Sequence, residues 1–174
     1  MTTQLTSDHE IIKIGDLNIT IRPITPDDKV IEAAFVRDLS PQTRHDRFLG
    51  GIRELSPSML TQLCNIDYVN SMAYVATILE DGDEKEIGVC RYANDSVLGE
   101  REMAVTVADE YQHFGVATLL VNKLIEHARA NDVKRLTSID LRTNYNMQEL
   151  AESLGMVSMT DPEDPRQVIF SITL

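Results

Sequence analysis

Leu17, Ile19 and Ile21 alternate with Asn18, Thr20 and Arg22, the period-two pattern of a strand with one buried face. Arg22-Pro23-Ile24 ends it, and Thr25-Pro26-Asp27-Asp28 opens a helix. Thr25 suits the cap, Pro26 the first turn, and Asp28 a capping-box position. Val30, Ile31, Ala34 and Phe35 give that helix its apolar face. Ser-Pro pairs at 40–41 and 56–57 repeat the start signal and predict short helices near 41–49 and 57–64. Residues 73–79 form an apolar, β-rich run, followed by an acidic turn around Gly82, a strand at 87–92, a turn at 96–99 and a strand at 102–108. From Gly115 the period lengthens: Ala117, Leu120, Val121, Leu124 and Ala128 share one helical face to about residue 130. A strand at 136–141, a helix at 147–154 stopped by Gly155, and strands at 157–159 and 168–174 complete the chain.

This order predicts an α+β fold: a central mixed, mostly antiparallel sheet flanked by helices on both faces. The helix at 115–130 is a crossover, so the 136–141 strand lies parallel to the 102–108 strand. Residues 1–10 are expected to fray and residues 11–174 to form a single domain. No repeat, linker or low-complexity tract divides them.

Composition then narrows the chemistry. Sixteen Lys and Arg against 28 Asp and Glu leave a formal charge of −12. That excess argues against nucleic acid or an anionic membrane as partner, since both require a basic face, and it favours a cationic substrate such as an amine. No basic-then-apolar leader and no long apolar run is visible, so a cytoplasmic protein is expected. Cys64 and Cys90 have no C-x-x-C spacing and read as reduced, half-buried thiols. His9, His45, His113 and His127 show no ligand spacing, so no metal is expected. Arg44-His45-Asp46-Arg47 reads as a charged helix face, with contact to substrate as the alternative, and Asp140 as an acid at a strand end, with contact to the amine as the alternative.

The segment richest in chemistry is Val105 to Leu120, where a strand ends, Gln112-His113-Phe114-Gly115 turns, and a helix starts at once. Free N–H groups at such a helix start favour a phosphate. The single glycine is neither the dinucleotide fingerprint nor a Walker loop, and an ordinary strand–turn–helix corner fits as well.

Gln112-x-x-Gly115-x-Ala117 in that setting resembles the acyl-CoA pyrophosphate loop of the GNAT N-acetyltransferase superfamily. Arg22-Pro-Ile-Thr-Pro-Asp-Asp28 is similar to the family's first strand–helix junction, and Ile87-Gly88-Val89 to its third strand. Asn144-x-x-Met147-x-x-Leu150-Ala151-x-x-Leu154-Gly155 is similar to its last helix. Leu39-Ser-Pro-Gln-Thr-Arg44 with Arg47-Phe48, and Leu55-Ser-Pro-Ser-Met-Leu60, look most like the bacterial protein-lysine acetyltransferase branch.

The resemblance implies acetyl-CoA as cosubstrate, no metal, and direct transfer to a primary amine, either a protein lysine or a small amine. It implies that Gln112, His113, Phe114, Gly115, Val116, Ala117 and Thr118 form the pyrophosphate loop, with Phe114 and Val116 packing the start of the helix. Val105, Thr106 and Val107 would pair with pantetheine where the sheet opens, and an N–H near Val105 would hold the carbonyl oxygen. Asn144 would either bond the cofactor or cap the last helix. Glu102 in Glu-x-Ala-Val matches the branch's general base. Many relatives protonate the leaving thiolate with a tyrosine; that position is Ala151 here, which leaves the acid unassigned. A non-catalytic acyl-CoA sensor on the same fold is the alternative. A monomer or a homodimer is expected, with the apolar 168–174 strand as a dimer edge.

Overall fold

The computed structural model describes residues 9–94 and 98–174. The expected frayed start and the turn at 96–99 thus fall largely outside the described residues. The first described element is a strand that the hydrophobic pattern does not predict, β1 (Glu10–Ile14), of which only Glu10 falls in the segment expected to fray. It pairs antiparallel with β2 (Leu17–Pro23) through a two-residue turn in which Gly15 takes φ 58°.

At the end of β2, Arg22 forks onto Asp28 with bonds of 2.8 and 2.7 Å, while Asp28 also takes the Thr25 amide at 2.6 Å. Burial pushes the Asp28 carboxyl up; Arg22 and the Thr25 amide more than offset it and hold it below its ordinary value. The Arg-Pro-Ile-Thr-Pro-Asp-Asp sequence therefore closes a strand onto a 3-10 turn (Pro26–Asp28) that runs into α1 (Lys29–Asp38). Helices α2 (Pro41–Phe48) and α3 (Pro57–Cys64) both start as the Ser-Pro signal predicts. Ser40 Oγ accepts the Thr43 amide, and Ser56 Oγ the Met59 amide.

Strands β3 (Met72–Glu80), β4 (Asp83–Asn94) and β5 (Glu100–Val107) form the antiparallel meander. Helix α4 (Val116–Ala130) crosses to β6 (Arg135–Leu141), and α5 (Tyr145–Ser153) leads to β7 (Val157–Thr160) and β8 (Gln167–Thr173). The eight strands run in the order β1-β2-β3-β4-β5-β6-β8-β7, mixed and mostly antiparallel as expected. The final strand is not an edge: β8 is inserted between β6 and β7, and the edges are β1 and β7. The dimer-edge expectation for residues 168–174 is corrected accordingly.

Two apolar layers hold the sheet. On one face α4 buries Val116, Leu120, Val121, Leu124, Ile125 and Ala128, each large side chain contributing roughly 1.5–3 kcal/mol. Gly88 permits that approach, because a Cβ there would stand 3.1 Å from Leu120 Cδ1 and 3.3 Å from the Thr106 carbonyl oxygen. On the other face Phe35, Val36 and Leu39 pack with Cys64 against Ala73, Val75 and Val89. Cys64 and Cys90 are free thiols with no exposed surface, more deeply placed than expected.

Candidate active site

The parallel ladder between β5 and β6 is short. Glu100 pairs with Arg135, Arg101 with Leu136 and Glu102 with Thr137, and then the strands diverge. The expected opening of the sheet is present at this point. A cavity of about 480 Å³ fills it, walled by α2, β5, the β5–α4 loop, β6 and α5.

Of the residues named from sequence, Glu102, Val105, Thr106, Val107, Gln112, His113, Gly115, Ala117, Thr118 and Asn144 line this cavity. Phe114 and Val116 do not. Val116 is 1% exposed and packs in the α4 core, as expected of a residue at the start of the helix. Phe114, also expected to pack there, instead exposes 54% of its surface.

The loop is built to leave its amides free. His113 at φ 65° and Gly115 at φ 84° are both left-handed, and Gly115 is the cap of α4 with no side-chain cap bond. The first helical bond runs from Leu119 N to Gly115 O at 3.1 Å. Among the described residues nothing accepts the six amides from His113 to Thr118. Six unbonded donors at the positive end of a 15-residue helix fit a pyrophosphate without any Lys or Arg in the loop.

Gln112 braces this loop. Its Nε2 donates to the Val107 carbonyl at 3.0 Å and its Oε1 accepts Asn146 Nδ2 at 3.1 Å, tying β5 to α5. Asp109 does the same for α2, accepting the Ser40 amide at 2.9 Å and the Ser40 and Thr43 hydroxyls at 2.7 Å each. Asn144 Oδ1 accepts the Met147 amide at 3.1 Å, so the capping role is realised in a residue that also faces the cavity.

The plainer reading of the sequence left one wall of the cavity unassigned. Asp46 and Arg47, expected on a solvated helix face, line the cavity, and so do Phe48, Ser138 and Asp140. Arg44 of that run donates to the Arg37 and Leu39 carbonyls at the end of α1, and Asp46 Oδ1 accepts Gln42 Nε2 at 2.8 Å within α2. The Arg47 guanidinium lies 4.9 Å over the Phe48 ring. Burial and the nearby Arg91 cation pull it down to about 10 against the charges of Glu32 and Asp140. Asp140 accepts the Ser138 hydroxyl at 2.6 Å; burial drives its carboxyl above the ordinary range, opposed by that bond and by Arg47. Alternation along α2 and β6 carried a signal for these residues. The sheet opening that turns them inward is a tertiary feature.

Residues 18–157 match the acetyltransferase (GNAT) domain family. The chain is 44% identical to acetyltransferase PA5475 of Pseudomonas aeruginosa over 168 residues, covering 96% of this chain and 90% of that protein. It is 28% identical over 138 residues to acetyltransferase Pat of Mycolicibacterium smegmatis, spanning 79% of this chain and 40% of that longer protein. Among solved structures, the GNAT domain of S. lividans PAT superposes with a TM-score of 0.86 at 22% identity, over 95% of this chain and 97% of that one. With the family match covering most of its length and a close relative matched nearly end to end, this chain belongs to the GNAT acetyltransferase family.

Proposed function

We propose that the protein moves the acetyl group of acetyl-CoA directly to a primary amine, either a protein lysine or a small amine, with Glu102 as general base. The observation that carries this reading is the shared cavity at the β5–β6 opening, which brings Glu102 and the loop with six free amides into one space. In this reading the amides of Gln112 to Thr118 hold the pyrophosphate. Val105, Thr106 and Val107 pair by backbone with the pantetheine arm, and Asn144 bonds it near the acyl end. The amide near Val105 faces the carbonyl oxygen as charge develops there.

Glu102 is exposed at the point where the strands part, within reach of solvent as well as of the cavity. A lysine amine of pKa about 10.4 is almost wholly protonated near pH 7, so a carboxylate that removes its proton, directly or through water, accelerates attack. Asp46 and Glu102 give the acceptor side a negative lining suited to an ammonium group.

The test is acetyl-CoA turnover over a panel of amines for wild type and Glu102→Gln. The substitution is expected to lower kcat/KM about 10²-fold or more near neutral pH, with CoA affinity retained. Its effect should shrink as the pH approaches the amine's own pKa. Tight CoA binding with no turnover on any amine would instead mark the acyl-CoA-binding, non-catalytic reading.

A further inference from the structure

Acetyl transfer leaves CoA as a thiolate, and the position where relatives carry a tyrosine acid is Ala151, 1% exposed and without a titratable atom. Tyr145, the nearest tyrosine on α5, is 69% exposed and absent from the cavity lining. Tyr111 does line the cavity, but it follows β5 at the pyrophosphate-loop end, nine residues from Glu102. At about 3.3 Å per residue the intervening strand alone spans roughly 17 Å.

The β6 wall supplies a different group. The parallel register sets Glu102 beside Thr137, and beyond that pair the strands part, so that Val105 of β5 and Asp140 of β6 both line the opening between them. Val105 is the residue whose neighbourhood the proposed function assigns to the acetyl carbonyl. Asp140 lines the same cavity, is half-buried, and has Oδ2 fixed by the Ser138 hydroxyl at 2.6 Å. Among the described residues no other hydrogen bond reaches it, which leaves Oδ1 for a ligand. From these placements we infer that Asp140 is the general acid that returns a proton to the CoA sulfur.

This deepens the acetyltransferase reading and rests on it. The amine nitrogen forms a bond to the thioester carbon, and the carbon–sulfur bond breaks with its electron pair going to sulfur. The nitrogen's proton passes to Glu102, the carboxyl proton of Asp140 passes to sulfur, and solvent exchange restores both groups. Two carboxyls in one cavity with unlike surroundings suit the two roles: Glu102 is exposed, while Asp140 is half-buried. Burial keeps Asp140 protonated to higher pH than an ordinary carboxyl. The charged groups facing it are Asp46 and Arg47 from α2 and Glu102 from β5; Glu149 of α5 lines the same cavity, and the β8 residue paired with Asp140 is the uncharged Val168.

The experiment compares wild type with Asp140→Asn on two donors, acetyl-CoA and p-nitrophenyl thioacetate, whose aryl thiolate leaves without an acid. Expected are a kcat loss of about 10²-fold with acetyl-CoA, disappearance of the basic limb of its pH profile, and a much smaller loss with the aryl thioester. CoA titration and thermal melting check that the variant folds. A second variant, Ser138→Ala, removes a bond that stabilises the ionised carboxyl and should move the basic limb to higher pH; it decides the matter if Asp140→Asn does not fold. Equal losses on both donors, an effect confined to the KM for amine, or an unmoved limb in Ser138→Ala overturns the assignment. A wild type that binds CoA yet acetylates no amine overturns the acetyltransferase reading itself.

Discussion

Glu86 is a carboxyl 3% exposed, with neither oxygen hydrogen-bonded, beside the equally buried Glu32. Glu32 is satisfied on one oxygen by Arg91 at 3.0 Å, and Arg91 also donates to the Leu63 carbonyl at 2.9 Å. Burial, reinforced by the Glu32 charge, raises Glu86 well above its ordinary value, so the fold holds it protonated where the unfolded chain would not. A raised folded pKa on an acid contributes stability that is fully present below the unfolded value of about 4.3 and is lost as pH climbs through the folded value. Each unit between the two values is worth about 1.4 kcal/mol. Wild type should therefore lose denaturant stability from pH 5 to pH 8, and Glu86→Gln should flatten that slope and be the more stable of the two at pH 8. Parallel slopes for the two proteins would refute this. This residue's position is not legible in the sequence, because Glu86 sits in an acidic stretch that reads as a turn. A bulge at Ile87, opposite Ala76 and Thr77, places it inside.

At the scale of elements, α2 is short and apolar on little of its surface, and none of its residues is fully buried. Its position depends on polar ties, chiefly Asp109 receiving three bonds from Ser40 and Thr43. Burial lifts Asp109, and those bonds overcompensate and hold it below the ordinary carboxylate range. Asp109→Ala should cost about 1–2 kcal/mol in global stability. It should also speed hydrogen exchange across Arg44–Phe48 and raise the KM for amine several-fold, with CoA affinity nearly unchanged. Unchanged exchange in α2 would show that packing, not this tie, positions the helix. Element starts were legible where a local rule applies: Ser40 and Ser56 before proline, Asn144 three residues before Met147. Strand β1 was not, because Ile11, Ile12 and Ile14 carry no clean alternation and pair only with β2 at the sheet edge.

For the whole molecule, the −12 charge and the site's construction act together. CoA is polyanionic and must be held by a chain with twelve more acids than bases. The loop from Gln112 to Thr118 contains no Lys or Arg, so in the proposed reading its attraction comes from amides and a helix end in close contact rather than from a field across solvent. Raising salt from 50 to 500 mM shortens the screening length from roughly 14 to 4 Å, which weakens distant charges far more than contacts at hydrogen-bond range. CoA affinity should change less than about threefold over that range by calorimetry. A loss of tenfold or more would mean that side-chain cations carry the binding.

Hydrophobic period, Ser-Pro caps and the Gln112-x-x-Gly115-x-Ala117 corner determined the element order, the mixed sheet and the strand–turn–helix loop with its free amides, because each is governed by neighbours within a few residues. Tertiary structure alone decided three things. It placed β8 inside the sheet rather than at its edge, since the pairing of β6 with β8 and β8 with β7 is fixed by contacts far apart in sequence. It buried Glu32 of α1 beside Glu86 of β4. It also parted β5 from β6 after Glu102 and Thr137, turning Asp46, Arg47 and Asp140 from ordinary surface charges into the wall of one cavity. A strand's own residues set which way its side chains alternate, but only its neighbour's departure decides that a gap, and a site, lies between them.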